Sequence, residues 1–102
     1  MTSEHSTRPV TRAEDLKQVY DVLLAPSFPP SELVPLEWLT EGVASGAVDV
    51  LVAEDSSGAV AIAVTEALPP APVVLLTYFA TRADRRGSGI GTALFRGMLR
   101  AV

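Results

Sequence analysis

The sequence predicts one small α+β domain in which a mainly antiparallel β-sheet is flanked by helices. The 102 residues are 48% apolar and 20% charged, which is typical of a globular domain of this size. Valine-rich runs bounded by turn residues indicate strands, and apolar residues three and four positions apart indicate helices. Together they predict the element order β-α-α-β-β-β-α, with residues 1–7 as a disordered polar leader and residues 8–102 as the domain.

A short strand and two helices are expected in the first half of the chain. A proline-containing edge strand at residues 8–10 precedes a helix that Thr11 and Glu14 open as a capping box, each side chain bonding the other residue's backbone. A proline-rich loop, residues 25–35, ends this helix and leads into a second one. Gly46 ends the second helix, because glycine readily adopts the left-handed conformation of a helix C-terminus.

Three strands and a last helix follow. Residues 48–54 and 59–66 form a hairpin around the turn at 55–58, and residues 73–81 form the next strand. These runs are so continuously apolar that both faces of the sheet are expected to be covered, at least partly by helices. The last helix begins at about Ile90. Its apolar stripe has a four-residue spacing and consists of Ile90, Leu94, Met98 and Val102.

Composition excludes several classes of protein. The chain has no cysteine, which excludes disulfide scaffolds and thiolate metal sites, and its single histidine, His5, excludes a histidine metal cluster. The longest uncharged stretch, residues 67–81, contains three prolines and is too short to span a membrane. The first residues lack the basic and apolar order of a signal peptide. We therefore expect a soluble, cytoplasmic protein without a metal or a membrane partner.

Charge is distributed unevenly along the chain. The formal net charge is −4, which argues against general binding to nucleic acid. Residues 1–81 hold three cations and eleven acids, whereas residues 82–102 hold five arginines and one acid. The basic end indicates either a local anion site or arginines that merely solvate a turn and a helix. Charge alone favours neither interpretation.

A glycine-rich segment separates the last predicted strand from the last helix. Gly87, Gly89 and Gly91 occupy alternating positions, where they give the backbone unusual freedom and let a ligand approach closely. The helix that follows directs its first N–H groups outward with a partial positive charge. Arg85 and Arg86 precede the glycines. This combination predicts a site for phosphate or pyrophosphate.

Two familiar phosphate loops do not fit this segment. A Walker loop requires a lysine before its Ser or Thr, and the segment has none. A dinucleotide fingerprint requires glycine where this chain has Thr92, and an acidic residue about 20 positions further on. Both are excluded.

The pattern Arg-x-x-Gly-x-Gly does fit, at Arg86, Gly89 and Gly91. Residues 78–94 closely resemble motif A of the GNAT superfamily of N-acetyltransferases. The predicted order of elements is also similar to the first part of that family's fold, so the resemblance extends over residues 8–102. It implies binding of acetyl-CoA as co-substrate and transfer of its acetyl group to a primary amine.

The resemblance also implies which residues bind the co-substrate. Backbone N–H groups of the glycine segment would cradle the pyrophosphate, and the adjoining strand edge would pair with the pantetheine amides. Arg86 would either orient the loop or contact a phosphate. The implied binding residues are Phe79, Ala80, Thr81, Arg86, Gly87, Ser88, Gly89, Ile90, Gly91 and Thr92.

Catalytic groups are harder to assign. Glu66, at the end of a predicted strand, is the candidate general base, acting directly or through water, with plain surface charge as the alternative. No catalytic acid can be named, since Tyr20 and Tyr78 are both expected in the core. A non-catalytic CoA-binding or interaction module therefore remains an alternative to an acetyltransferase, and a phosphate-binding regulatory domain is a third.

GNAT domains continue past the motif A helix with further strands and a helix, whereas this sequence ends at Val102. The resemblance therefore implies a GNAT-like fold truncated before its last strands and helix. The strand at 73–81 would then present an unpaired apolar edge. We expect association as a homodimer or with a completing C-terminal chain, besides a small-molecule or peptide amine as acceptor.

Overall fold

The structure is a computed structural model, and it describes residues 6–101. The predicted α+β class and the order β-α-α-β-β-β-α are confirmed. A π-helical turn at Tyr20–Leu24 extends the first helix, and a 3-10 turn at Ala83–Arg85 precedes the last one. The elements are β1 (Ser6–Pro9), α1 (Ala13–Val19), α2 (Leu36–Ser45), β2 (Val48–Asp55), β3 (Gly58–Ala67), β4 (Val74–Thr81) and α3 (Ile90–Ala101).

The strands form one antiparallel sheet in the order β1-β2-β3-β4. Two irregularities interrupt its register. Val60 is an extra residue in β3, because Ala61 pairs with Ala53 whereas Ala59 pairs with Glu54. Thr77 is likewise extra in β4, opposite the step between Val64 and Thr65. Such bulges bend and twist a strand, so the hairpin tip and the end of β4 depart from a flat sheet.

Both faces of the sheet are covered, as expected from the continuously apolar strands. Helices α1 and α2 bury Leu16 and Leu39 against one face, where Ile62 is fully buried. Helix α3 covers the other face through its predicted stripe, of which Ile90, Leu94 and Met98 are buried and Val102 lies outside the described residues. No helix within residues 6–101 is long and apolar enough to cross a membrane.

The start of the chain differs from the sequence-based expectation in two ways. Ser6 and Thr7, expected in the leader, belong to β1 and pair with β2, while residues 1–5 lie outside the described part. The capping box is wrong: α1 begins one residue later than it requires, with Arg12 at the N-cap and no side-chain cap. Glu14 instead accepts a hydrogen bond from the Arg12 guanidinium.

The proline-rich loop, residues 25–35, is held by the hydroxyls of two tyrosines, one on β4 and one in the π-helical turn. The Tyr78 hydroxyl on β4 donates to the Glu32 carbonyl at 2.7 Å and accepts from the Val34 amide at 2.9 Å. The Tyr20 hydroxyl donates to the Val34 carbonyl. The ring of Phe28 lies 4.8 Å from that of Tyr78. The loop is therefore a fixed part of the sheet face that carries α1 and α2.

The outer edge of β4 is apolar and exposed. Val73, Val74 and Leu75 are each about half exposed, at 51%, 46% and 46%. Within residues 6–101 no strand pairs with this edge. On the neighbouring helix α3, Phe95 and Leu99 are also exposed. Exposed apolar strand edges pair readily with other chains.

Replacing the hydroxyl that holds the proline-rich loop tests its contribution to stability. Tyr78→Phe removes both hydrogen bonds of this hydroxyl and keeps the ring, so the free energy of unfolding should fall by about 1–2 kcal/mol. Tyr20→Phe, which removes one hydrogen bond, should cost less. Denaturant unfolding measures both, and a Tyr78→Phe variant as stable as the wild type would contradict this role.

The exposed edge predicts self-association of the 102-residue chain. Size-exclusion chromatography should show an apparent mass that rises with protein concentration, and Leu75→Lys should suppress this by placing a charge on the edge. Val22→Lys is the matched control, because Val22 is equally exposed, at 47%, but lies on the helical face. A compact, cooperatively melting monomer at every concentration would overturn the prediction.

Candidate anion-binding site

The segment between β4 and α3 bends sharply at two glycines. After the 3-10 turn, Gly87 and Gly89 have φ angles of 84° and 86°. These values lie in the left-handed region, which other residues enter only with strain. No atom lies within 4 Å of the position of a Cβ at either glycine, so the constraint there is the backbone conformation itself.

The bend presents a row of unpaired backbone donors. The first hydrogen bond into α3 runs from the Ala93 amide to the Gly89 carbonyl, at 3.1 Å. Within residues 6–101, no hydrogen bond is formed by the amides of Gly87 and of residues 89–92. The Ser88 amide differs, since it donates to the Arg85 carbonyl at 3.2 Å. The free donors stand at a helix N-terminus, where the backbone dipoles favour an anion.

Four of the five residues with unpaired amides, all except Ile90, line an open pocket of about 400 Å³. Gly91 lies against Thr81, because a Cβ there would lie 3.1 Å from the Thr81 Oγ1. A larger side chain at Gly91 would therefore crowd Thr81, which lines the same pocket. The pocket is lined by Thr81, Arg85, Arg86, Gly87, Gly89, Gly91 and Thr92.

The three arginines of the segment have different partners. Arg82 and Arg85 form ion pairs with Asp84, at 2.6 and 3.1 Å, and Arg85 also pairs with Asp55 at 2.6 Å. The exposed Arg86 forms no ion pair within residues 6–101, and its Nε donates to the Thr81 carbonyl at 3.3 Å. Arg86 is thus tied to the end of β4 and keeps a guanidinium that can meet an anion.

Asp55 connects the β2–β3 hairpin to this segment. Its carboxylate accepts hydrogen bonds from the Ser57 hydroxyl and amide, at 2.6 and 2.8 Å, and from the Arg85 Nε. The bonds from Ser57 and Arg85 hold the pKa of Asp55 well below its ordinary value. Ser57 Oγ also accepts from Arg82 and Arg85, at 3.0 and 3.2 Å. Sequence reasoning placed Asp55 at the hairpin turn as surface charge and missed its pairing with Arg85.

Several other residues implied as binding residues turn their side chains away from the pocket. Phe79 packs against α3, with its ring 6.2 Å from that of Phe95, and Ile90 is buried in the same cluster. Ala80 lies in the core on the opposite face. The Ser88 hydroxyl, like its amide, donates to the Arg85 carbonyl. None of these four residues lines the pocket.

Glu66 lies far from the glycine bend. It pairs with Leu75, six residues before Thr81 on β4, which places it about 20 Å away along the strand. Glu66 is partly exposed, and its side chain forms no hydrogen bond or ion pair in the described part of the chain. The structure therefore places Glu66 at one end of β3 and β4 and the anion pocket at the other.

Thr77 lies between these two ends and was also missed by sequence reasoning. Its Oγ1 is buried and has no hydrogen-bond partner within residues 6–101. A buried hydroxyl without a partner carries a free-energy cost and calls for an explanation, such as a ligand or water. The bulge at Thr77 arises from the pairing of β3 and β4, and no local sequence signal announces it.

The fold of this chain is shared with proteins of known structure. No protein-family model and no curated protein sequence matches this chain. Solved structures do match it. A protein from Desulfovibrio desulfuricans assigned to the GNAT family of acetyltransferases superimposes with a TM-score of 0.72 at 20% identity. The match covers 96% of this chain and 65% of that one.

Two further matching structures are of N-acetyltransferases, one of them in complex with coenzyme A. The PaiA N-acetyltransferase of Thermoplasma acidophilum, solved with coenzyme A, gives a TM-score of 0.74 at 14% identity, covering 96% of this chain and 71% of that one. The ribosomal-protein-alanine N-acetyltransferase of Brucella melitensis gives 0.72 at 18% identity, covering 95% and 70%. The chain thus has the fold of GNAT acetyltransferases and is shorter than these relatives.

The low pKa of Asp55 predicts a specific pH dependence of stability. A carboxylate with a lowered pKa stabilises the fold above its ordinary pKa, and this contribution is lost as pH falls from about 4 toward the folded-state pKa. Asp55→Asn should therefore lower the Tm at pH 7, with a difference from wild type that shrinks below pH 4. Thermal melts across this range test it, and a difference independent of pH would contradict it.

Proposed function

We propose that this chain binds acetyl-CoA and serves in N-acetyl transfer to a primary amine, as an acetyltransferase or as the co-substrate-binding half of one. The observation that carries the proposal is the row of unpaired amides at Gly87 and residues 89–92 above an open pocket. The shared fold with GNAT acetyltransferases, one of them solved with coenzyme A, supports it.

The residues present fit a diphosphate. Five backbone amides that have no partner within residues 6–101 can donate to its oxygens, and Thr92 lines the same pocket. Gly91 leaves space where a Cβ would crowd Thr81. Arg86 adds a positive charge that is not neutralised by an acid within the described residues. Backbone donors at a helix N-terminus with a nearby guanidinium form a well-suited diphosphate site.

The edge of β4 fits the pantetheine arm. Its outer backbone groups are unpaired in the described part of the chain, so amides of an extended ligand can pair with them as an added strand. This path runs from Thr81 past Phe79 toward the bulge at Thr77, where a buried hydroxyl lacks a partner. Bound acetyl-CoA supplies a thioester acetyl group, which an amine attacks with release of the thiol.

The chain's own catalytic groups remain a proposal. Glu66, at the far end of β3, is the candidate base that would take a proton from the amine, directly or through water. Residues 1–81 hold eleven acids and three cations, and this negative charge suits a cationic acceptor, either a small molecule or a peptide amine. A homodimer or a completing C-terminal chain would cover the exposed edge of β4, and the size-exclusion experiment tests the homodimer.

A non-catalytic CoA-binding module is the second candidate, and the two tyrosines favour it. Both hydroxyls are committed to backbone hydrogen bonds of the proline-rich loop, so neither is available to protonate a thiolate. Burial, with the neighbouring Tyr78, raises the pKa of Tyr20 above its ordinary value. Thiol release from acetyl-CoA with a panel of amines distinguishes the two candidates: release supports the transferase, and binding without release supports the module.

Calorimetric titration with acetyl-CoA, coenzyme A and ATP tests the binding site. Acetyl-CoA and coenzyme A should bind, and ATP should bind more weakly because it lacks the pantetheine arm. Gly91→Val should abolish binding by filling the cradle beside Thr81. Gly89→Ala should weaken binding by straining the bend, whereas Gly46→Ala is its control.

Gly46 matches Gly89 closely, since its φ of 84° is also left-handed and no atom lies within 4 Å of its Cβ position. It ends α2, however, and does not line the pocket. Gly46→Ala should therefore cost stability and leave affinity unchanged. Wild-type affinity in Gly91→Val, or equal affinity for ATP and coenzyme A, would overturn the assignment.

A further inference from the structure

We infer that Asp55 is a positioning residue, which holds the anion-binding bend in its binding geometry from the tip of the β2–β3 hairpin. The inference rests on the proposed function and adds to it a group that does not itself line the pocket. It depends on three features of the structure: the contacts of Asp55, the path from Arg85 to the bend, and the local balance of charge.

Side-chain hydrogen bonds and one backbone hydrogen bond connect the β2–β3 hairpin to Arg82 and Arg85, just before the bend. Asp55 is only 12% exposed and accepts from the Arg85 Nε at 2.6 Å. Ser57 is held by the same carboxylate and accepts from both Arg82 and Arg85. The Arg82 amide donates to the Val60 carbonyl on β3 at 2.7 Å. Asp55 is thus the centre of a network that spans residues 55–85.

Arg85 transmits this constraint to the glycines. Its carbonyl accepts from both the amide and the hydroxyl of Ser88, which closes the turn around Gly87. Gly87 and Gly89 have no side chains with which to fix their own conformation, and glycine has the largest conformational freedom to lose. A bend of this composition needs support from outside, and the Asp55–Arg85 pair supplies it.

The electrostatic effect of replacing Asp55 on anion affinity is opposite to the effect that a positioning role predicts. Asp55 and Asp84 neutralise Arg82 and Arg85, although Arg85 borders the pocket. Replacing Asp55 with a neutral residue adds one net positive charge beside the site and leaves Arg85 paired with Asp84 alone. Electrostatics alone would then strengthen anion binding. A positioning role predicts the opposite, because a disordered bend must be ordered again when the ligand binds.

Affinity for coenzyme A measured by calorimetry on the full chain tests this prediction. Asp55→Asn should weaken binding by about tenfold, despite the added positive charge. Glu54→Gln is the matched control: the neighbouring residue is also ion-paired, with Arg8 at 2.8 Å, and its replacement changes net charge equally. The control should bind within about twofold of wild type. Equal or tighter binding by Asp55→Asn would overturn the inference.

A double substitution separates this pair from general destabilisation. If Asp55 acts through Arg85, then Asp55→Asn combined with Arg85→Gln should weaken binding no more than the more harmful single change. Additive losses would instead show that Asp55 does not act through Arg85, which overturns the inference. All titrations are run well below the Tm of each variant, so that global unfolding does not contribute.

Amide hydrogen exchange without ligand gives a readout that does not depend on binding. Asp55→Asn should accelerate exchange at Ser88 and Ala93 several-fold, and leave the Val10 amide, which donates to Val50 on the far side of the sheet, unchanged. Unchanged exchange at Ser88 and Ala93 overturns the inference. If wild type fails to bind coenzyme A, the proposed function fails, and the exchange result alone decides whether Asp55 positions the bend.

Discussion

The architecture depends on backbone donors that the fold leaves without partners. The first amides of a helix have no internal partner, and here those of Gly87 and residues 89–92, unpaired within residues 6–101, lie beside an open pocket. At this helix end three of the six residues 87–92 are glycines, so an anion can approach the backbone closely.

The rest of the molecule holds this helix end in place. Helix α3 is fixed on the sheet by Ile90, Leu94 and Met98, and β4 leads directly into the bend. From the opposite direction, the β2–β3 hairpin reaches the bend through Asp55 and Arg85. The packed helix α3 and the β2–β3 hairpin therefore support the pocket on two sides. The glycines of the bend let a ligand approach the backbone but do not themselves fix its conformation.

Local patterns predicted the elements well, and long-range contacts account for what was missed. Apolar periodicity and glycine spacing depend on neighbouring residues, so the strands, the helices and the bend at residues 87–92 were predictable. The Asp55–Arg85 pair joins residues far apart in sequence, and the bulge at Thr77 is set by the partner strand. Thr11 fits a capping pattern, but the helix begins one residue later than that pattern requires.

The backbone amides themselves provide the most direct test of the diphosphate site. In a ¹⁵N-resolved NMR titration with coenzyme A, the amide resonances of Gly87 and residues 89–92 should shift together and saturate, with smaller changes along β4 toward Thr77. The pocket between Arg8 and Arg82 on the α1 side serves as the internal comparison. Saturable shifts confined to that pocket, with the glycine amides unmoved, would contradict the account.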